Sequence, residues 1–348
     1  MSMMSWKRKQ GSKSYAYLCA RVRAMKSKLL QKESYPRLMN MELAEIARFI
    51  EDSEYKDEVD ELARRYDGAN LIEHALNQNL ALTYRKLLNI SAGESHHLLS
   101  EYLKRWDIWN IKTILRGKRY GASDSEILEA VVSAGQFGYH DLIELVRKDV
   151  PEIIEKLKRD YPLDGYSEDR MDYFENALDR FYYESLVELE AVRKPKTKSN
   201  RLFSEMVKTE IDVRNLKTLF RSAKAGLERE QIVDMLIPGG LKLNMVALIK
   251  LAGLPFDEFT ASIKDYPYWD SISGTVTDEN GSLTGVEIGL DKYCLEHASR
   301  SSHYYPLSIV PIMDYVVSKK NEVDNIRMIV RGREAGLSDD LIRSKLVL

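Results

Sequence analysis

The 348-residue chain carries only two cysteines, Cys19 and Cys294. Two lone thiols cannot build a disulfide framework or a paired-cysteine zinc site, and a reducing compartment is the expected one. Glycine (18) and proline (9) are scarce as well. Together they make up about 8% of the chain against an average near 12%, so few positions interrupt a helix and long helices are expected. No apolar run approaches the roughly 20 residues that cross a bilayer, and no signal-peptide pattern opens the chain. A soluble, cytoplasmic protein is expected. Net charge is nearly absent too: 52 Lys and Arg against 54 Asp and Glu leave −2, so no whole-protein field attracts nucleic acid or an acidic substrate.

What is present is helical periodicity. Hydrophobic residues make up 44% of the chain, enough for one large core or several smaller ones. They recur at helical spacing, as at Leu18, Val22, Met25 and Leu29, and again at Leu142, Leu145 and Val146. Alternating patterns are almost missing; residues 274–285, with Asp278-Glu279-Asn280-Gly281 as a turn, form the one candidate β-hairpin. The expected fold class is all-α with at most that one small hairpin. Lys194-Pro195-Lys196-Thr197-Lys198-Ser199-Asn200 reads as a loop between helical stretches.

One segment is written three times. Asp107-Ile-Trp-Asn110-Ile-Lys-Thr-Ile-Leu-Arg116-Gly matches Asp212-Val-Arg-Asn215-Leu-Lys-Thr-Leu-Phe-Arg221-Ser and Glu322-Val-Asp-Asn325-Ile-Arg-Met-Ile-Val-Arg331-Gly. In each copy a glycine follows the Asn by eleven residues (Gly121, Gly226, Gly336), and an isoleucine of a second helix lies beyond it (Ile127, Ile232, Ile342). Asp160-Tyr161-Pro162 and Asp265-Tyr266-Pro267 are spaced by the same 105 residues as Asn110 and Asn215, so the register holds over most of a unit. The expected organisation is a basic leading segment with its helix, 1–35, followed by helical units at 36–139, 140–245 and 246–348, each long enough to hold a small core.

On a helix, Val213, Leu216, Leu219 and Phe220 share one face, and the acid of the motif falls within it. An unpaired buried carboxylate costs several kcal/mol, so Asp107, Asp212 and Glu322 are expected to be paired, with an Arg, a Lys or a backbone N–H of a neighbouring helix. The glycines read as helix stops. The alternative is that the triplicated acid, Asn and Arg line a binding surface. No catalytic, cofactor or metal site is expected: Pro238-Gly239-Gly240 lacks the Lys-Ser/Thr of a phosphate loop, His96-His97 is outside any His-Glu-x-x-His frame, and Cys294 with His297 has no second chelating pair.

Charge is polarised along the chain. Residues 1–32 hold nine bases and no acid, leaving −11 on the remainder. Arg21, Arg23, Lys26 and Lys28 are thus a candidate basic contact face for an acidic partner or an anionic membrane surface, or else a helix docked on the acidic remainder.

The opening Tyr15-Ala-Tyr17-Leu-Cys-Ala20-Arg21-Val22-Arg23-Ala24-Met25-Lys26-Ser27, with Leu29-Leu30, resembles the start of the C subunit of archaeal and bacterial A/V-type rotary ATP synthases, the counterpart of the d subunit of the eukaryotic vacuolar proton pump. The resemblance spans essentially the whole chain, triplication included. It implies three similar helical units around a pseudo-threefold axis, forming a funnel. The implied role is that of a non-catalytic, single-copy central-stalk connector between the D and F shaft subunits and the membrane ring of proteolipids (K or c). It further implies a peripheral position on the cytoplasmic face of the membrane, with torque passing through the protein and no cofactor. On this reading Asn110, Asn215, Asn325, Arg116, Arg221 and Arg331 are candidates to line a shaft socket or to buttress the helices. Two other classes remain: a cytoplasmic helical-repeat scaffold with no rotary role, and a nucleic-acid binder using the basic start. The acidic remainder and the lack of recognition motifs disfavour the latter.

Overall fold

The computed structural model describes the backbone of residues 3–192, 197–276 and 282–348, and the side chains of 15–189, 197–276 and 282–348. Among these residues there are eighteen α-helices, two 3-10 turns and no strand. The protein is all-α, as its shortage of helix breakers requires. The candidate hairpin does not form. Ser282 instead accepts the Gly285 N–H at 3.1 Å and starts the helix Leu283–Tyr304. A capped helix start satisfies these backbone groups locally, which removes the need for a partner strand. The turn residues 277–281, and Lys194–Lys196 of the expected loop, lie outside the described residues.

The chain divides into two compact units, Met1–Glu73 with Arg193–Leu348, and His74–Val192. In the larger unit the leading helix Met3–Lys26 packs on Val310–Glu334, burying Leu18, Cys19, Val22 and Met25. Burying each such apolar side chain contributes about 1.5–3 kcal/mol. A second core of that unit gathers Val213, Leu216, Leu219 and Phe220 of Lys198–Ala225 with Ile232, Leu243, Leu248, Phe259 and Leu290. In the smaller unit Arg105–Arg119 packs on Met171–Val192 and on the short helix Asp124–Ala130. Ile108, Ile111, Leu142, Leu145 and Leu178 are among its buried residues.

The three written-out segments sit in helices Arg105–Arg119, Lys198–Ala225 and Val310–Glu334, hereafter the motif helices. All three end the same way. Gly121, Gly226 and Gly336 adopt φ of +70°, +64° and +66°, a left-handed turn open to glycine at no steric cost. The next residue then returns its N–H to the helix: Ala122 to Gly117 O, Leu227 to Ser222 O and Leu337 to Gly332 O, at 2.9, 3.1 and 2.9 Å. This is the Schellman closure. It turns the chain back so that Ile127 and Ile342 of the following short helices meet Gly117 and Gly332. A Cβ on Gly117 or Gly332 would lie 2.5 or 2.7 Å from the isoleucine side chain.

Candidate functional site

The asparagine does the same thing in each copy. Asn110 donates to Val132 O at 2.8 Å and accepts from Val132 N at 2.9 Å. Asn215 makes the same pair with Ile237 at 2.7 and 2.8 Å, and Asn325 with Val347 at 2.9 and 3.0 Å. All three side chains are buried. A side-chain amide presents one donor and one acceptor side by side, which is what a neighbouring strand would offer an extended backbone. The Asn thereby closes the backbone 22 residues downstream without a sheet.

The acids are buried too, and are held mainly by backbone. Asp107 accepts Gln136 N at 3.0 Å and Phe137 N at 2.9 Å. Asp212 accepts Lys242 N at 2.6 Å, Leu243 N at 3.1 Å and the Tyr268 hydroxyl at 2.6 Å. The donating amides lie on the loop leading out of each repeat rather than on a neighbouring helix. Burial pushes the Asp107 carboxyl up to about 6, against the pull of the Phe137 and Gln136 amides. It also raises Asp212, against Tyr268 and its amides. Tyr161 and Tyr268 are raised, by burial first and then by the carboxylate each faces. The tyrosine facing the acid in the second copy is thus Tyr268, two residues beyond the Tyr266 that the Asp-Tyr-Pro spacing selects.

Glu322 is held differently. Its carboxylate accepts the Leu30 backbone N–H, the Tyr55 hydroxyl at 2.6 Å and the Lys319 ammonium at 3.0 Å. Lys319 is fully buried, with its Nζ 4.0 Å from the centre of the Tyr55 ring. The third copy therefore takes one donor from its own helix, Lys319, and two from far earlier in the chain, Tyr55 and Leu30, the latter 292 residues away. The same return marks the arginines. Arg116 pairs with Glu175, Arg221 with Glu287, and Arg331 with Glu73. Their partners sit on Met171–Val192, Leu283–Tyr304 and Gly68–Ile90, the first two being the next long helix after the motif helix and the third lying back near the start. One turn earlier Lys112 pairs with Asp179 and Lys217 with Asp291, at 2.7 and 2.6 Å, while Arg327 reaches Glu73 at 3.8 Å.

Two glycines essential to this arrangement carry no motif of their own. A Cβ on Gly135 would fall 2.2 Å from Asp107 Oδ1, and one on Gly240 1.9 Å from Asp212 Oδ1. They are 105 residues apart, the repeat spacing itself, and that spacing is the signal by which the sequence could have shown them. Of the basic face, Lys26 donates to both oxygens of Asp314 at 2.6 Å, Arg23 to Pro306 O at 3.1 Å, and Lys28 pairs with Glu54 at 3.1 Å. Arg21 is exposed with no ion pair among the described residues. Also among the described residues, no group of His, Cys, Asp and Glu is placed to hold a metal ion, and no helix is long and apolar enough to cross a membrane.

A thrice-repeated helix carrying a buried acid, a backbone-closing asparagine and an outward arginine bound to another long helix defines an all-α protein whose repeated polar residues tie the chain to itself. The ATP synthase (C/AC39) subunit family matches residues 18–345, and the chain belongs to it. The A-type ATP synthase C subunit of Methanococcoides burtonii is 52% identical over 348 residues, covering 99% of this chain and 97% of that protein. The C subunit of the Methanosarcina mazei enzyme is 51% identical over 352 residues, covering 100% and 96%. That of Archaeoglobus fulgidus is 37% identical over 338, covering 96% of each.

Proposed function

We propose that this chain is the non-catalytic rotor connector of an archaeal-type A/V-type ATP synthase. In this reading one copy, peripheral at the cytoplasmic face of the membrane, joins the D and F shaft subunits to the proteolipid ring. It passes torque between ion translocation and ATP synthesis or hydrolysis. Family membership supports the complex; the series of repeated contacts supports the connector. A torque-bearing part must resist shear between its helices. Buried hydrogen bonds with fixed geometry, together with several cross-helix ion pairs, resist shear better than apolar packing alone, because displacing them leaves buried polar groups unpaired. The division into units 36–139, 140–245 and 246–348 belongs to the same proposal, the contact sets recurring at that spacing. The motif arginines and asparagines are committed to partners in their own chain, so their role here is to buttress rather than to line a socket.

Mixing the purified chain with the D–F pair and with detergent-solubilised ring tests the reading. A ternary complex holding one copy of the chain is expected. Binding to neither partner would favour a scaffold with no rotary role.

A further inference from the structure

The third contact set is made between distant parts of the chain, yet it follows the pattern of the other two. Leu30 and Tyr55, which both donate to Glu322, are 25 residues apart. The same interval separates Leu243 from Tyr268, both donors to Asp212, and Gln136, a donor to Asp107, from Tyr161, which faces that carboxylate. The opening segment thus does for the last motif helix what a downstream loop does for the other two. No short connection holds it there, so its contacts alone keep it in place.

The last motif helix also differs from the others in one respect. Each charged group that it gives to the opening segment keeps a second polar partner on the helix itself. Glu322 holds Lys319 at 3.0 Å, Arg331 holds Glu334 at 2.6 Å, Arg327 holds Asp324 at 3.2 Å, and Asp314 accepts from the Ser318 hydroxyl at 3.4 Å. In the first two motif helices, Lys112, Arg116, Lys217 and Arg221 have no Asp or Glu within four residues on either side. Lys104, which stands in the first copy where Lys319 does in the third, turns to Glu101 at 2.7 Å instead of to Asp107. A charge that loses its partner inside a protein is costly, and a local substitute removes most of that cost. On the last motif helix, the partners from the opening segment can leave without stranding a charge. That helix has a packing neighbour of its own as well, since Leu283–Tyr304 lies along it.

We propose that residues 15–73 form a strap that shuts over Val310–Glu334 as a step of its own, opening and reclosing while that helix stays folded. The closed form is the resting one, because closure buries Leu18, Val22, Leu38, Met39, Ile46 and Ile50. The reserve partners hold the charges of the helix while the strap is away. The strap is a property of this chain by itself and requires neither a bound partner nor rotation, so it stands apart from the connector reading.

Native-state hydrogen exchange of the full-length chain at low denaturant, read by mass spectrometry of its peptides, tests it. Peptides within 15–62 are expected to exchange together, at least about tenfold faster than Lys198–Ala225, while Val310–Glu334 keeps its protection. Glu334→Gln supplies a sign that a merely structural pair would not give. It removes a partner that Arg331 shares with Glu73 when the strap is shut and relies on when the strap is open, so opening should become about twofold rarer. Glu73→Gln, which weakens only the shut form, should make opening about twofold commoner. Exchange of the strap at the rate of Lys198–Ala225, exchange of its peptides each at a separate rate, loss of protection in Val310–Glu334 along with the strap, or an opening made commoner by Glu334→Gln would each overturn the proposal.

Discussion

Replacing Asn215 with alanine strands two backbone groups at once, because the side-chain amide serves both the N–H and the C=O of Ile237. Leaving a buried pair unsatisfied costs about 2–4 kcal/mol, and chemical denaturation of Asn215→Ala should show a loss of that size. An unchanged midpoint would mean that water substitutes for the amide. Gly240→Ala should cost at least about 2 kcal/mol, since its Cβ would collide with the Asp212 carboxylate and with Leu243 O at 2.8 Å. Asp107 yields a pH prediction. Its carboxyl is raised to about 6 in the folded protein, against roughly 3.9 in an unfolded chain. Between about pH 4 and 6 the folded state holds a proton that the unfolded chain has released, so this residue's contribution is full below pH 4 and is lost as pH rises through 6. The span is about 3 kcal/mol. Stability of Asp107→Asn relative to the parent, followed from pH 4 to 7.5, should therefore shift by about that amount in favour of the variant; a flat or opposite trend would contradict the assignment. At this scale the threefold spacing points to the acid, the asparagine and the arginine. Their partners are hidden, since a backbone amide carries no sequence signature and Gly135 and Gly240 are recognisable only once the acid they accommodate is located.

Helices are joined by the outward pairs of the motif, and these are individually weak. The side chains of Arg116, Arg221 and Arg331 are 51%, 59% and 44% exposed. Exposed pairs contribute about 0.2–1 kcal/mol each, so the triple alanine variant should keep its helix content and lose about 1–3 kcal/mol, a loss that shrinks in high salt. Circular dichroism and thermal melting at two salt concentrations check both parts. A collapse of helicity would show the pairs to be more than braces. Helix positions and stops are legible in the sequence because few glycines and prolines interrupt the pattern and each motif ends on one glycine. The hairpin expected at residues 274–285 is the exception. There an Asn-Gly turn signal stands beside Ser282, whose capping of the next helix is the stronger local preference. The return of the third copy to Leu30, Tyr55 and Glu73 is illegible, because pairing across the length of the chain leaves no periodicity to read.

For the molecule as a whole, near-neutrality conceals an internal division. The basic opening segment spends part of its charge on the chain itself, with Lys26 on Asp314 and Lys28 on Glu54. The same segment delivers the Leu30 amide to Glu322, so the start of the chain completes its last repeat. This tie adds to the repeated contacts within the motif helices on which the connector proposal rests. The decisive measurement is rotation: with the catalytic head of the intact complex fixed to a surface, a bead is attached to this chain through a cysteine placed at the exposed Tyr120, and ATP is added. A connector turns the bead with the shaft; a bead that stays still while ATP is hydrolysed and the shaft revolves would place the chain outside the rotor and contradict the proposal.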